Sequence, residues 1–122
     1  MADLFVLTSR EDPFPLVCLE HAAMGHPIVT FRNGGMPELL TAAGPHAAMG
    51  TVDHLDIASM AREVLALLSN DRRYDAAARE LRAEVIEHHD MACVGPGIYA
   101  DVLSAYDRSV RSGASGRPTA TP

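Results

Sequence analysis

Apolar positions change their rhythm several times along the chain. Leu4-Phe5-Val6-Leu7 is an unbroken apolar run, which predicts a strand covered on both faces, as in a parallel sheet. Thr8 to Pro13 is polar and reads as a loop. Pro15 suits a first helical position, where its missing N–H costs nothing, and Leu16, Leu19, Ala23 and Met24 continue a helix that stops at Gly25. Pro27 to Thr30 predicts a second short strand, Asn33-Gly34-Gly35 a turn, and Pro37 to Leu40 a short helix ended by Gly44-Pro45. His46 to Met49 reads as a third, weaker strand. From Val52 the period becomes helical: Asp53 or Asp56 caps a helix whose apolar face is Ile57, Ala61, Val64, Leu65 and Leu68. Asn70-Asp71 restarts a helix with Tyr74, Ala78, Leu81, Val85 and Ile86 on one side. A last helix, from about Ile98 to Tyr106, follows Gly95-Pro96-Gly97. Residues 1–108 read as one folded segment and residues 109–122, rich in Ser, Gly and Pro, as a disordered tail.

Strands alternating with helices predict an α/β fold, a partial Rossmann-like parallel sheet with flanking helices and right-handed connections. A first strand that is apolar throughout asks for neighbours on both sides, so the pattern describes half of a doubly wound sheet. Ligands of such sheets bind outside the carboxyl ends of the strands, which is where the loop Thr8 to Phe14 falls.

Composition narrows the function. At 122 residues there is room for one small domain. The ten basic residues are all arginine, and sixteen acidic residues leave a net charge of −6, which argues against a nucleic-acid or anionic-membrane surface. Cys18 and Cys93 are single and far apart, and they read as buried reduced thiols rather than a disulfide or a metal motif. His46, His54, His88 and His89 read as surface or loop residues; without partners at i+4 they make no zinc site. No charged-then-apolar leader and no apolar run of about 18 residues is present, which predicts a cytoplasmic protein with no transmembrane segment.

The run SREDPFPLVCLEHAAMG, residues 9–25, carries the candidate chemistry. Free N–H groups at Phe14, Leu16 and Val17, with the positive end of the helix dipole, make an anion site suited to a diphosphate. Glu20 shares a helix side with Leu16, Val17 and Met24 and is expected to be partly buried, so its carboxylate needs donors. A sugar diol supplies two hydroxyls spaced for one carboxylate, and Asp12, nearer the loop tip, suits a second hydroxylated group. The plainer alternative is a carboxylate that faces water or pairs with Arg10 or Arg32.

The run ADLFVLTSREDPFPLVCLEHAAMGHPIVTFRNGGMPELL resembles the donor-binding segment of retaining glycosyltransferases of the GT-B fold, the large sucrose synthase, glycogen synthase and mannosyltransferase-like family. That family's pattern is a strand, two acidic residues separated by seven others, then G-x-P-V-V and G-G-x-x-E. Asp12 and Glu20 hold the acidic spacing here, with Phe14, Leu16, Gly25, Pro27, Gly34, Gly35 and Glu38 matching around them. SMAREVLALLSNDRRYDAAARELR resembles the family's following helices, so the likeness spans about residues 2–108.

The resemblance implies a hexosyltransferase whose donor is a nucleotide diphosphate sugar, such as a UDP- or GDP-hexose, with no other cofactor and no metal. It implies that Glu20 binds the ribose hydroxyls and Asp12 the transferred hexose, while Phe14, Pro15, Leu16 and Val17 approach the sugar and diphosphate. The sequence departs from the family in three places: Asp12 replaces a Glu, Pro13 and Pro15 replace glycines, and His21 replaces an Ala. The family's acceptor-binding lobe, its basic diphosphate-neutralising pair and its catalytic-region His have no counterpart here, so no catalytic residue is expected and the isolated chain should be weak or inactive. A different reading is a non-catalytic interaction module that self-associates or docks to a partner, because half a sheet exposes an edge and an apolar face. A flavodoxin-like domain is disfavoured, since no acidic cluster ends the first strand and no hydroxyl-rich phosphate loop follows it.

Overall fold

Three short parallel strands, β1 (Phe5–Leu7), β2 (Ile28–Phe31) and β3 (Thr51–Val52), pair in the order β1-β2-β3. They belong to the first of two compact units, Met1–His89 and Asp90–Pro122, within which the computed structural model describes residues 3–113. All four residues of β2 are buried, as its central place requires. Its register sets Val6 beside Val29 and Thr30 beside Thr51.

Five helices complete this unit: α1 (Leu16–Ala23), α2 (Met36–Ala43), α3 (Pro45–Ala48), α4 (Ile57–Leu68) and α5 (Asp71–His88). Alternate side chains of β2 enter two different cores, as a strand's period of two demands. Ile28 packs with Leu7 and with Cys18, Ala22, Met36, Leu39, Leu40, Ala47, Leu81 and Val85 from α1, α2, α3 and α5. Val29 and Phe31 pack with Val52, Met60, Leu67 and Ala77 from β3, α4 and α5. The α/β class and the parallel sheet with flanking helices agree with the sequence pattern.

Several elements differ from that pattern. β1 is not covered on both faces: Val6 is 36% exposed, and β2 is the strand's one neighbour among the described residues. His46 to Met49 is not a strand. Pro45–Ala48 is one helical turn, and the third strand follows at Thr51–Val52, where the Thr30 and Arg32 N–H groups donate to the Gly50 and Val52 carbonyls at 2.9 and 2.7 Å. The turn forms because Pro45 presets φ and because Glu80 of α5 supplies a cap from elsewhere in the chain, accepting from the His46 and Ala47 N–H groups at 2.9 and 2.8 Å.

In α4, Asp56 is the cap, accepting from the Ser59 N–H at 2.9 Å, but the buried stripe is Met60, half-buried Val64 and Leu67. Ile57, Ala61, Leu65 and Leu68 face outwards, with Ile57 74% exposed. Two apolar stripes run along this helix, and periodicity alone does not say which one meets the sheet. In α5, capped by Asn70 through the Arg73 N–H, Ala77, Ala78, Leu81 and Val85 are buried while Ile86 is exposed.

The second unit contains one helix, α6 (Met91–Gly113), which begins seven residues earlier than the pattern suggested and passes through Gly95-Pro96-Gly97. Asp90 starts it, with its Oδ1 accepting from the Ala92 N–H at 2.8 Å and its carbonyl from the Cys93 and Val94 N–H groups. Residues 109–113 therefore belong to the helix rather than to a disordered tail, and residues 114–122 lie outside the described ones. No helix among the described residues is long and apolar enough to cross a membrane.

Candidate functional site

The loop leaving β1 is held by the turn leaving β2. Asn33 Nδ2 donates to the Ser9 carbonyl at 3.1 Å and to the Arg10 carbonyl at 2.6 Å, and the Gly35 N–H donates to the Pro13 carbonyl at 2.7 Å. The approach is close enough to demand glycine twice. Gly34 has φ +57°, and a Cβ there would run into the Asp12 carbonyl oxygen; a Cβ on Gly35 would lie 2.8 Å from the Phe14 ring. Asn33-Gly34-Gly35 reads in the sequence as a turn, but its use as a clamp on the Asp12 loop depends on partners more than twenty positions away. Asn33 Oδ1 is buried with no partner among the described residues, which leaves one acceptor facing the loop unused.

Pro15 flanks α1 as its N-cap, with φ −74° and ψ 123°, one position before the helical place that the sequence suggests. Its carbonyl accepts from the Cys18 N–H at 3.0 Å, while the Leu16 and Val17 N–H groups donate to no other described residue. Those two amides are the free donors that a helix start leaves over, at the positive end of the dipole.

Glu20 is not partly buried, contrary to expectation. Leu16, Val17, Glu20 and Met24 do share one side of α1, but that side is exposed, with Leu16 at 71%. Burial falls instead on Cys18 and Ala22, with Leu19 partly buried, on the side turned to the sheet and α5. Neither Arg10 nor Arg32 pairs with Glu20; Arg32 reaches Asp53 at 3.4 Å. Neither the Glu20 nor the Asp12 carboxylate has an ion pair or a side-chain hydrogen bond among the described residues. Burial, and then the negative charge of Asp12, push the Cys18 thiol up to about 11, so the Asp12 carboxylate lies close enough to be felt in the first turn of α1.

Asp12, Phe14, Pro15, Leu16, Val17 and Glu20 are thus gathered on one loop and the first turns of one helix. Phe14 also walls a depression of about 230 Å³ with Gly35, Glu38, Leu39 and His89. Both cysteines are free, and Cys93 is exposed rather than buried. No group of three or more His, Cys, Asp or Glu side chains gathers with metal-binding geometry among the described residues.

A family model described as glycosyl transferases group 1 matches residues 1–70, which includes the whole of this loop, the clamp and α1. The chain belongs to the group 1 glycosyltransferases. Within that family it is 30% identical over 112 residues to the 2-deoxystreptamine N-acetyl-D-glucosaminyltransferase of Niallia circulans, covering 92% of this chain and 28% of that protein. To the glycogen synthase of Mycobacterium tuberculosis it is 32% identical over 98 residues, covering 80% of this chain and 24% of the relative. The solved sucrose-phosphate synthase (tll1590) from Thermosynechococcus elongatus superposes with a TM-score of 0.70 at 20% identity, over 85% of this chain and 26% of that one. The glycosyltransferase chain therefore spans about a quarter of the length of these proteins. The superposition agrees with the Rossmann-like, GT-B type fold expected from the sequence.

Proposed function

We propose that this chain forms the donor-binding wall of a retaining hexosyltransferase, which moves a hexose from a nucleotide diphosphate sugar to an acceptor hydroxyl in the cytoplasm. The observation that carries the proposal is a pair of carboxylates, Asp12 and Glu20, that have no ion pair or side-chain hydrogen bond among the described residues and flank the Leu16 and Val17 N–H groups, which donate to no other described residue. In this reading the amides take the diphosphate, Glu20 takes the ribose diol and Asp12 takes hexose hydroxyls. Phe14 and Pro15 shape the wall between them. A UDP- or GDP-hexose is the one small molecule required. Preorganised amides at the leaving diphosphate stabilise the charge that develops there. Because the chain spans about a quarter of its relatives, transfer needs an acceptor side that this wall does not supply, and the chain alone is weak or inactive.

Calorimetric titration of UDP, GDP and their hexoses tests the reading. One of the two nucleotide series is expected to bind the wild-type chain, and Glu20→Ala is expected to abolish that binding while shifting stability by no more than about 0.5 kcal/mol, as for a surface substitution. Equal binding to wild type and variant, or no binding by a well-folded wild-type chain, would overturn it.

One observation favours a second reading, an interaction module. Leu16 and Val17 on α1, Met24 at its C-terminal cap, and Ile57, Leu65 and Leu68 on α4 are all exposed. Light scattering over a range of concentrations decides it: a constant monomer mass speaks against self-association, and a rising mass supports it.

A further inference from the structure

The end of α1 brings two histidines together through backbone geometry. Gly25, at φ +83°, closes the helix; its N–H donates to the Ala22 carbonyl at 2.9 Å and the His26 N–H donates to the His21 carbonyl at 3.0 Å. These two bonds, spanning three and five residues, define the Schellman cap, which sets the side chains at the first and last positions against each other. An apolar pair usually occupies those positions. Here both are histidine, and their Nδ1 atoms lie 3.0 Å apart. Phe5 of β1 stacks on the His21 ring with centroids 4.4 Å apart and holds it in place, and both histidines are half-buried.

We propose that His21 and His26 form a two-imidazole site for a divalent first-row transition ion, Cu²⁺ above the others. An ion about 2.0–2.1 Å from each nitrogen would subtend about 94° across a 3.0 Å separation, close to the right angle of neighbouring ligands in a tetragonal field. Imidazole suits copper and nickel, and copper stands highest in the general order of affinities. Without an ion, the short contact needs a proton on one Nδ1 and a lone pair on the other. On metal binding that proton moves to the same ring's Nε2, so that both neutral imidazoles present an Nδ1 lone pair, and acid competes with the ion by protonating the rings. Water fills the remaining positions, because no third His, Cys, Asp or Glu joins the pair among the described residues. Arg82 of α5 reaches the same cap, where its Nε donates to the Ala23 carbonyl at 3.1 Å, and its positive charge limits how tightly a dication is held. The pair escapes a search for ligands at i+4 because the spacing is five and the cap, not the helix face, closes it.

The test is titration of the chelator-stripped chain with Cu²⁺, followed by calorimetry and electron paramagnetic resonance, on wild type, His21→Gln, His26→Gln and the double variant His88→Gln/His89→Gln. The expected result is one ion per chain with two coordinated imidazoles. Affinity should fall by more than the roughly 10- to 100-fold that loss of an outer-shell partner costs in either single variant, and stay unchanged in the double variant. Circular dichroism confirms that each variant is folded. A folded His21→Gln or His26→Gln chain that binds as tightly as wild type, or a wild-type spectrum showing one imidazole or none, overturns the proposal.

Discussion

Gly34 sits at φ +57° against the Asp12 carbonyl, so an added methyl meets both backbone strain and a clash that no side-chain rotation relieves. Gly34→Ala is expected to cost about 1–3 kcal/mol, and Asn33→Ala, which removes two hydrogen bonds to the same loop, about 1–2 kcal/mol; thermal melts would check both. At this scale the sequence was informative about identity and poor about environment. The eight-residue interval from Asp12 to Glu20 and the Asn-Gly-Gly turn were readable as they stood. The exposure of Glu20 was not, because α1 carries apolar residues on two sides and the side with Cys18 and Ala22 meets the sheet. That exposure changes the argument for the site: the carboxylate lies at the surface, unpaired among the described residues, instead of being buried and short of donors.

Among the elements, α3 shows how a distant residue overrides local pattern. Its four residues have little of their own to hold a helix, and His46 to Met49 looked like a strand. Glu80 decides the outcome by accepting from the His46 and Ala47 N–H groups and from His46 Nδ1 at 2.7 Å. Burial opposes ionisation of Glu80, but these donors together outweigh it and hold the carboxyl below its ordinary value. A lowered carboxyl favours the folded state above the unfolded value, about 4.3, and that contribution is lost as the pH falls through the folded value. Glu80→Ala is expected to cost about 0.5–2 kcal/mol at pH 7, in the range of a lost helix cap. Denaturant melts from pH 7 to pH 3 should show the gap between wild type and variant narrowing below about pH 4.5; a gap independent of pH would refute the cap. The two apolar stripes of α4 teach a related lesson, since the helix and its Asp56 cap were readable but its orientation depends on which stripe the sheet receives.

For the whole molecule, the parallel order of the sheet and the alternation of strands and helices followed from the sequence, whereas the division at His89–Asp90 did not. The Gly95-Pro96-Gly97 stretch suggested a break, but the helix starts earlier, at the Asp90 cap, and runs through it. The proposed donor site occupies the loop after β1 and the first turns of α1, residues Asp12 to Glu20. Backbone amide spectra of the ¹⁵N-labelled chain, recorded as UDP and then GDP are added, test that account most directly. Saturable shifts concentrated at Leu16, Val17 and Glu20, with smaller ones at Asn33 to Gly35, are the predicted result. A well-dispersed spectrum that neither nucleotide moves, or shifts confined to α4 and α5, would contradict it.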